Sequence, residues 1–267
     1  NGISVLLDFW RLIRVETCLF IGGIAAFGYL IFNNISYLLV PVFLSVFFLA
    51  AAGYTYNHIT DKREDTVNNR RLNYFVKRWY CYPVTVICIV CGIMFASWLS
   101  QLSVALYSIV AVLALSYSGL RIKRIFVLKN CYTGLTIASA FMVGACATGV
   151  INYDVLMYAP FIFVMGFLLN LLGDIRGFRG DASAGIKTFP VVIGIRKSKI
   201  IVYAISAGFV SLSIILRRIW LYPIIPFIIL IVLFVRNDNH RGARVSILSS
   251  FIISPNMLLA LNLAGML

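Results

Sequence analysis

Residues 155–173 read VLMYAPFIFVMGFLLNLLG and contain no charged side chain. A helix needs about 20 predominantly apolar residues to cross the roughly 30 Å hydrocarbon core of a bilayer. This stretch therefore predicts a transmembrane helix. The rest of the 267-residue chain agrees, because 61% of its residues are hydrophobic and only 12% are charged. Soluble domains carry about 25% charged residues. The composition excludes a disordered chain, a coiled coil and a soluble globular enzyme.

Eight further stretches of the chain are long and apolar in the same way. Their apolar character is continuous, which argues against a β-barrel, whose strands would alternate. The sequence thus predicts an all-α, polytopic membrane protein with nine transmembrane helices in a single domain over residues 1–267. The nine predicted spans are residues 16–33, 36–57, 80–99, 102–120, 132–151, 155–173, 200–216, 219–235 and 245–266.

The basic residues fall almost entirely in alternate loops. The chain carries 23 Lys and Arg against 9 Asp and Glu, a formal net charge of +14. With nine spans, every Lys and Arg except Arg217 and Arg218 lies on the face that holds the N-terminus. The positive-inside rule makes that face cytoplasmic and places the C-terminus outside. The charge then orients the helices and attracts anionic lipid headgroups, and nucleic-acid binding is disfavoured because no soluble basic domain exists.

Five of the nine acidic residues gather at two predicted helix ends on that face, and the first group lies within residues 57–65, NHITDKRED. Asn57, Asp61 and Asp65, called here the first acidic cluster, recur every fourth residue. They share one face if the predicted helix continues that far. Their hard oxygens suit Mg²⁺, which takes one or two protein carboxylates and completes its shell with water and substrate phosphate. A solvated helix end with ordinary i,i+4 polar pairs is the alternative that spacing leaves open.

The second group repeats the spacing of the first. Asn170 and Asp174 again form Asn-x-x-x-Asp, and Asp181 follows; these three residues are called here the second acidic cluster. Two such clusters facing each other can hold two or more Mg²⁺ ions against one diphosphate, and nearby Lys and Arg would neutralise its remaining charge. Gly177 and Gly180 can alternatively be turn residues.

Together these motifs resemble those of the UbiA superfamily of intramembrane prenyltransferases. The first acidic cluster is similar to the family's first Asp-rich motif. Residues 174–194, DIRGFRGDASAGIKTFPVVIG, resemble its second motif and the segment that follows. Residues 117–123, YSGLRIK, resemble the Tyr/Lys segment between the two. Residues 14–19, RVETCL, are similar to the archaeal digeranylgeranylglyceryl phosphate synthase branch.

The resemblance implies a fold with nine transmembrane helices around a central cavity, and a multi-pass enzyme whose active site is on the cytoplasmic face. With Mg²⁺ as cofactor, it would transfer a polyprenyl group, such as geranylgeranyl, from an allylic prenyl diphosphate to an acceptor within the membrane. That acceptor would be a glyceryl phosphate ether, or an aromatic such as hydroxybenzoate or naphthoate. The implied catalytic carboxylates are Asp61, Asp65, Asp174 and Asp181, and Asn57 and Asn170 join them as metal ligands. The implied substrate-binding residues are His58, Arg70, Tyr117, Lys123 and Lys187.

The substrate-binding residues also have structural interpretations. Lys123 and Lys187 can be positive-inside anchors, and Tyr117 can be an aromatic of the membrane interface. His58 can bind the acceptor or act as a base, or it can be a polar cap at a helix end.

The chain departs from the family pattern at three positions. His58 stands where the family often has Asp, Gly177 where it usually has an acidic residue, and Arg71 where it has Pro. Two other interpretations stay open. One is a terpene cyclase or diphosphate lyase without a separate acceptor. The other is a non-catalytic lipid-binding homologue, which the Gly177 departure keeps open. A transporter is less favoured, because it would show polar residues at mid-membrane depth, and few are present here.

Overall fold

Long helices make up most of the computed structural model. The chain is 85% helical, and the described residues contain no strand, so the all-α prediction is confirmed. The structure describes residues 2–67, 73–151, 153–183, 185–216 and 219–263. Within these ranges, the side chains of residues 2–3, 63–67, 123, 219–221, 251–252 and 254–263 lie outside the description.

Each predicted span overlaps one of the described helices. In chain order these are α1 (Gly2–Ile13), α2 (Val15–Phe32), α3 (Leu39–Val67), α4 (Tyr74–Lys77), α5 (Cys81–Ala96), α6 (Gln101–Gly119), α7 (Leu128–Ala145), α8 (Tyr153–Ser183), α9 (Phe189–Ile193), α10 (Ile195–Leu216), α11 (Ile225–Arg236) and α12 (His240–Leu263). Short 3₁₀ helices precede α7 at Ile122–Arg124 and α11 at Ile219–Ile224.

Several of these helices match the length and polarity of membrane spans. The described residues contain two shorter apolar helices, Cys81–Ala96 and Tyr222–Arg236. They also contain five segments long and apolar enough to cross a membrane: Ser4–Phe32, Leu39–Lys62, Gln101–Gly119, Tyr153–Ser183 and Ile195–Leu216. The chain is therefore an integral membrane protein, whereas the number of nine spans stays a prediction.

Two helices extend well past their predicted ends, and both extensions carry acidic residues. The α3 helix continues from residue 57 to Val67. No Gly or Pro interrupts this polar stretch, and its Lys62, Arg63 and Glu64 are good helix formers. The α8 helix continues from residue 173 to Ser183, whose hydroxyl donates to the Gly180 carbonyl oxygen at 2.8 Å. Gly177 and Gly180 are thus helical, and their interpretation as turn residues is wrong.

Two other boundaries differ from the hydropathy pattern. The α1 helix lies where that pattern predicts no span, and Arg14, in the left-handed backbone region with φ 51°, separates it from α2. The α7 helix ends at Ala145 rather than at residue 151. A turn follows it and leads to Gly149, whose φ of 87° favours a residue without a side chain.

By packing, the chain divides into two compact units. Unit 1 comprises Asn1–Ile122 and Ser139–Val155, and unit 2 comprises Lys123–Ala138 and Leu156–Leu267. The single domain over residues 1–267 therefore stays a prediction.

In unit 1, two glycines bring α2 and the second half of α7 into close backbone contact. A Cβ atom added to Gly28 would overlap the carbonyl oxygen of Phe141, and one added to Gly144 would overlap that of Ala25. Small residues allow this approach between helices in membranes. The buried apolar side chains around this contact include Tyr29, Val42, Val46, Leu49, Val110 and Val143.

In unit 2, the first half of α7 packs on α8 in the same way. A Cβ on Gly134 would lie 2.7 Å from the Phe163 carbonyl oxygen, and one on Gly166 would lie 3.0 Å from the Gly134 Cα. The two backbones are thus held side by side. Their polar ends carry the second acidic cluster and its partners.

Candidate functional site

The first acidic cluster lies on a continuous helix. Because α3 runs to Val67, positions 57, 61 and 65 share one of its faces, as the spacing predicts. Asn57 and Asp61 are partly buried. The Ser118 hydroxyl, near the end of α6, donates to the Asn57 Oδ1 at 3.0 Å and orients this carboxamide. The side chain of Asp65 lies outside the described residues.

His58 and Tyr117 are the sequence neighbours of Asn57 and Ser118. Both are partly buried, and His58 lies within α3, so its interpretation as a cap at a helix end is wrong. The end of α6 packs on α3, where a Cβ on Gly119 would lie 3.3 Å from the Tyr56 hydroxyl. This contact holds the residue that orients Asn57 against the helix that carries it.

Aromatic rings hold two of the cations in unit 1. The Lys62 ammonium lies 3.6 Å from the ring centroid of Trp79, and the Arg14 guanidinium lies 5.0 Å from that of Tyr54. Such cation–π contacts fix a charge against a ring face. Lys62, which follows Asp61 in sequence, thus has its ammonium against the Trp79 ring.

The second acidic cluster lies on one face of α8 and is tied to α7. The carboxylate of Asp174 is 2% exposed, and both of its oxygens accept hydrogen bonds. Its Oδ1 accepts from the Lys129 ammonium at 2.5 Å, and its Oδ2 accepts from the Asn130 carboxamide at 3.2 Å. Asn170, one turn earlier, donates to the Thr133 hydroxyl at 2.9 Å. These contacts join the polar ends of the two helices within unit 2.

Asp181 is the more accessible carboxylate of this cluster. It is partly buried, and its Oδ2 lies 3.6 Å from the place that a Cβ on Gly177 would take. An acidic side chain at position 177 would therefore stand beside Asp181 and repel it. The guanidinium of Arg244, on α12, lies 3.9 Å from the corresponding place on Gly173 and adds positive charge near this face.

Lys187 is exposed in the extended stretch between α8 and α9. The chain is anchored two residues later by Phe189, which packs against the rings of Phe126 and Phe167 at centroid distances of 4.9 and 5.8 Å. The exposed Lys187 ammonium therefore belongs to a segment that the packing of Phe189 holds in place.

Three of the predicted site residues cannot be placed at the level of side chains. Arg70 lies outside the described residues, as do the side chains of Asp65 and Lys123. Among the residues that are described, no three His, Cys, Asp or Glu side chains come together as a metal site.

Sequence reasoning missed the residues of α7 that hold the second cluster. It treats Lys129 only as a positive charge on the cytoplasmic face, and it does not consider Asn130 or Thr133. The available signal is a Lys-Asn pair at the start of an apolar helix, with Thr four residues after the Lys on the same face.

Comparisons with known proteins agree with the motifs and the fold. The model of the UbiA prenyltransferase family matches residues 17–253. No curated protein matches the chain. Among solved structures, a UbiA homologue from Archaeoglobus fulgidus bound to DMAPP and Mg²⁺ is similar, with a TM-score of 0.73 and 19% identity over 97% of this chain and 99% of that chain.

Two further structures share this architecture. An apo UbiA homologue from Aeropyrum pernix K1 has a TM-score of 0.74 and 18% identity over 92% of this chain and 98% of that chain. A digeranylgeranylglyceryl phosphate synthase has a TM-score of 0.65 and 22% identity over 96% of each chain. These likenesses establish the fold, and the family match establishes the membership. The chain belongs to the UbiA prenyltransferase family.

Proposed function

We propose that the chain transfers a polyprenyl group from an allylic prenyl diphosphate to an acceptor within the membrane, with Mg²⁺ as cofactor. The observation that carries this proposal is the position of the partly buried oxygen donors. They lie at the polar ends of two long helices, α3 and α8, whose other residues are mostly apolar. A charged diphosphate would lie at such polar ends, and its prenyl tail would lie among apolar side chains. The Archaeoglobus fulgidus homologue, which binds DMAPP and Mg²⁺, supports the same chemistry.

The donor set of this chain fits Mg²⁺. Carboxylate and carboxamide oxygens are its preferred protein ligands, and one or two carboxylates suffice for each ion. We assign the partly buried carboxylates Asp61 and Asp181 to this role, and we assign Asp65, Asn57 and Asn170 as further ligands. Asp174 is predicted as a ligand too, but both of its oxygens already accept hydrogen bonds. We therefore assign Asp181, rather than Asp174, as the main carboxylate ligand of the metal ion on α8.

The proposed reaction breaks the bond between C1 of the prenyl group and the diphosphate oxygen, whose electron pair leaves with the diphosphate. The acceptor nucleophile then bonds to C1 and loses its proton. When bound, Mg²⁺ stabilises the negative charge that develops on the leaving group. Lys187, Lys123 and Arg70 are assigned to the diphosphate oxygens, Tyr117 to the substrate, and His58 to the acceptor or its proton.

The distribution of charge supports a cytoplasmic active site. Both acidic clusters, and every Lys and Arg except Arg217 and Arg218, fall on one face if nine spans are present. A Lys187→Cys variant in a cysteine-free background tests this orientation. We expect an impermeant maleimide to label it in inside-out vesicles but not in right-side-out vesicles, and the opposite pattern would reverse the topology.

The reaction is tested by incubating the purified protein with geranylgeranyl diphosphate, Mg²⁺ and a panel of acceptors, with products identified by mass spectrometry. The panel contains a glyceryl phosphate ether, hydroxybenzoate and a naphthoate. We expect a geranylgeranylated acceptor. Hydrocarbon released without any acceptor would instead identify a cyclase or lyase, and unchanged substrate would identify a non-catalytic lipid-binding homologue.

The site assignment is tested by Asp61→Ala and Asp181→Ala, each of which we expect to abolish turnover. Asp238→Ala is the matched control, because this carboxylate is 74% exposed in the loop before α12. Its hydrogen bond from Lys199 lowers the pKa of Asp238, so this variant also removes one negative charge. Turnover retained in either test variant would refute the assignment of the residue replaced.

A further inference from the structure

The ion pair between Lys129 and Asp174 is largely enclosed. The Lys129 side chain is 18% exposed and that of Asp174 is 2% exposed, and the two are 2.5 Å apart. Asn130, which binds the other carboxylate oxygen, is 1% exposed. A charge is retained in such surroundings only when it is paired and hydrogen-bonded. The ammonium is therefore committed to this carboxylate.

This pair lies in the second acidic cluster. Asp174 and Asp181 share one face of α8 and are seven residues apart, about 10 Å along the helix axis. An ammonium has three donors and no lone pair, so Lys129 cannot ligate a metal. The Lys129 ammonium occupies the place beside Asp174 where a metal ion could otherwise bind. Its positive charge also repels a divalent ion that approaches any residue of the second acidic cluster.

We propose that Lys129 is a built-in counter-ion of the second acidic cluster, which occupies Asp174 and weakens divalent-cation binding on α8. The carboxylate left for an ion on this helix is then Asp181. The proposal rests on the proposed function, because it deepens the account of how this chain holds Mg²⁺. Lys129 acts through Asp174, so it is a positioning residue.

The test measures Mn²⁺ binding to the detergent-solubilised full chain by electron paramagnetic resonance, with no prenyl diphosphate present. The Lys129→Gln variant removes the charge but keeps an N–H donor for Asp174, so the contact between α7 and α8 is preserved. We expect it to bind Mn²⁺ roughly tenfold more tightly than the wild type, or more. Lys129→Arg keeps the charge and is expected to bind as the wild type does.

Two control variants separate the proposal from simpler explanations. Lys199→Gln removes an ammonium that pairs with an exposed carboxylate at 2.6 Å, and we expect no change in Mn²⁺ binding. In Lys129→Gln/Asp174→Asn the released carboxylate is lost as well, and we expect affinity to return toward the wild-type value. The proposal is overturned if Lys129→Gln binds Mn²⁺ no more tightly than the wild type. It is also overturned if Lys199→Gln produces the same gain, because the effect would then come from net charge.

The binding measurement is independent of turnover, so the two proposals can fail separately. If the wild type releases no diphosphate from any prenyl donor but Lys129→Gln still gains Mn²⁺ affinity, the proposed function fails and the counter-ion assignment stands. If the wild type transfers a prenyl group and Lys129→Gln shows no gain, the assignment of Lys129 fails and the function stands.

Discussion

Replacing Asp174 by Leu is expected to destabilise the contact between α7 and α8 strongly. The substitution removes the acceptor for the Lys129 ammonium and for the Asn130 carboxamide, both of which are largely enclosed. Breaking a buried ion pair from one side costs about 3–5 kcal/mol. Because Lys129 is 18% exposed, water can solvate part of its charge, which favours the lower end, about 3 kcal/mol. For a chain of this size, that loss lowers the melting midpoint by about 6–12 °C.

The assay is thermal denaturation in detergent with a chelator present, so that no divalent cation contributes to stability. In Lys129→Met/Asp174→Leu both charges are gone, and we expect most of the loss to be recovered, because no enclosed ammonium is left without a partner. Asp238→Leu is the control: its pair with Lys199 has a similar N–O distance of 2.6 Å, but Asp238 is 74% exposed, and we expect an unchanged midpoint. The reasoning is refuted if Asp174→Leu melts with the wild type, or if the double variant melts no higher than Asp174→Leu.

Three further changes have expected outcomes. Gly144→Ala should lower the melting midpoint by forcing α2 and α7 apart, at about 1–3 kcal/mol or more. Gly23→Ala is the control, because Gly23 is on α2 and no atom beyond its own stretch of helix lies within 4 Å of the place that its Cβ would take. We expect this variant to keep the wild-type melting midpoint. Equal midpoints for Gly144→Ala and Gly23→Ala would contradict the packing of α2 on α7 described above. Ser118→Ala releases the Asn57 carboxamide and should reduce Mg²⁺ affinity about tenfold or more in a titration of activity; unchanged affinity would show that Ser118 does not orient the ligand. Lys187→Met should raise KM for the prenyl diphosphate more than it lowers kcat, and an unchanged KM would remove Lys187 from the diphosphate site.

Hydropathy predicts the helical class and the approximate positions of the spans, because a bilayer requires long apolar runs. It does not predict where α3 and α8 end. These helices continue for several turns beyond the apolar run, since backbone hydrogen bonding and helix-forming residues sustain a polar helix as well as an apolar one. The spacing of Asn57, Asp61 and Asp65 carries the missing information, because an i,i+4 repeat is useful only if the helix continues.

The partners of the second cluster are harder to predict from the sequence. Lys129 and Asp174 lie 45 residues apart, so nothing local indicates their pairing. The positive-inside rule already accounts for a Lys at this position, which makes a second role easy to overlook. The packing of Gly134 against Gly166 brings the backbones of α7 and α8 together, and this contact is not visible in the sequence.

The central claim is that this chain uses its acidic clusters to activate an allylic diphosphate. Its most direct test is the rate of diphosphate release from geranylgeranyl diphosphate in the presence of the acceptor panel, with Mg²⁺ or with a chelator. We expect release by the wild type and by Asp238→Ala with Mg²⁺, and none with the chelator or in Asp61→Ala. Release that continues in the chelator, or that survives in Asp61→Ala, would contradict the account.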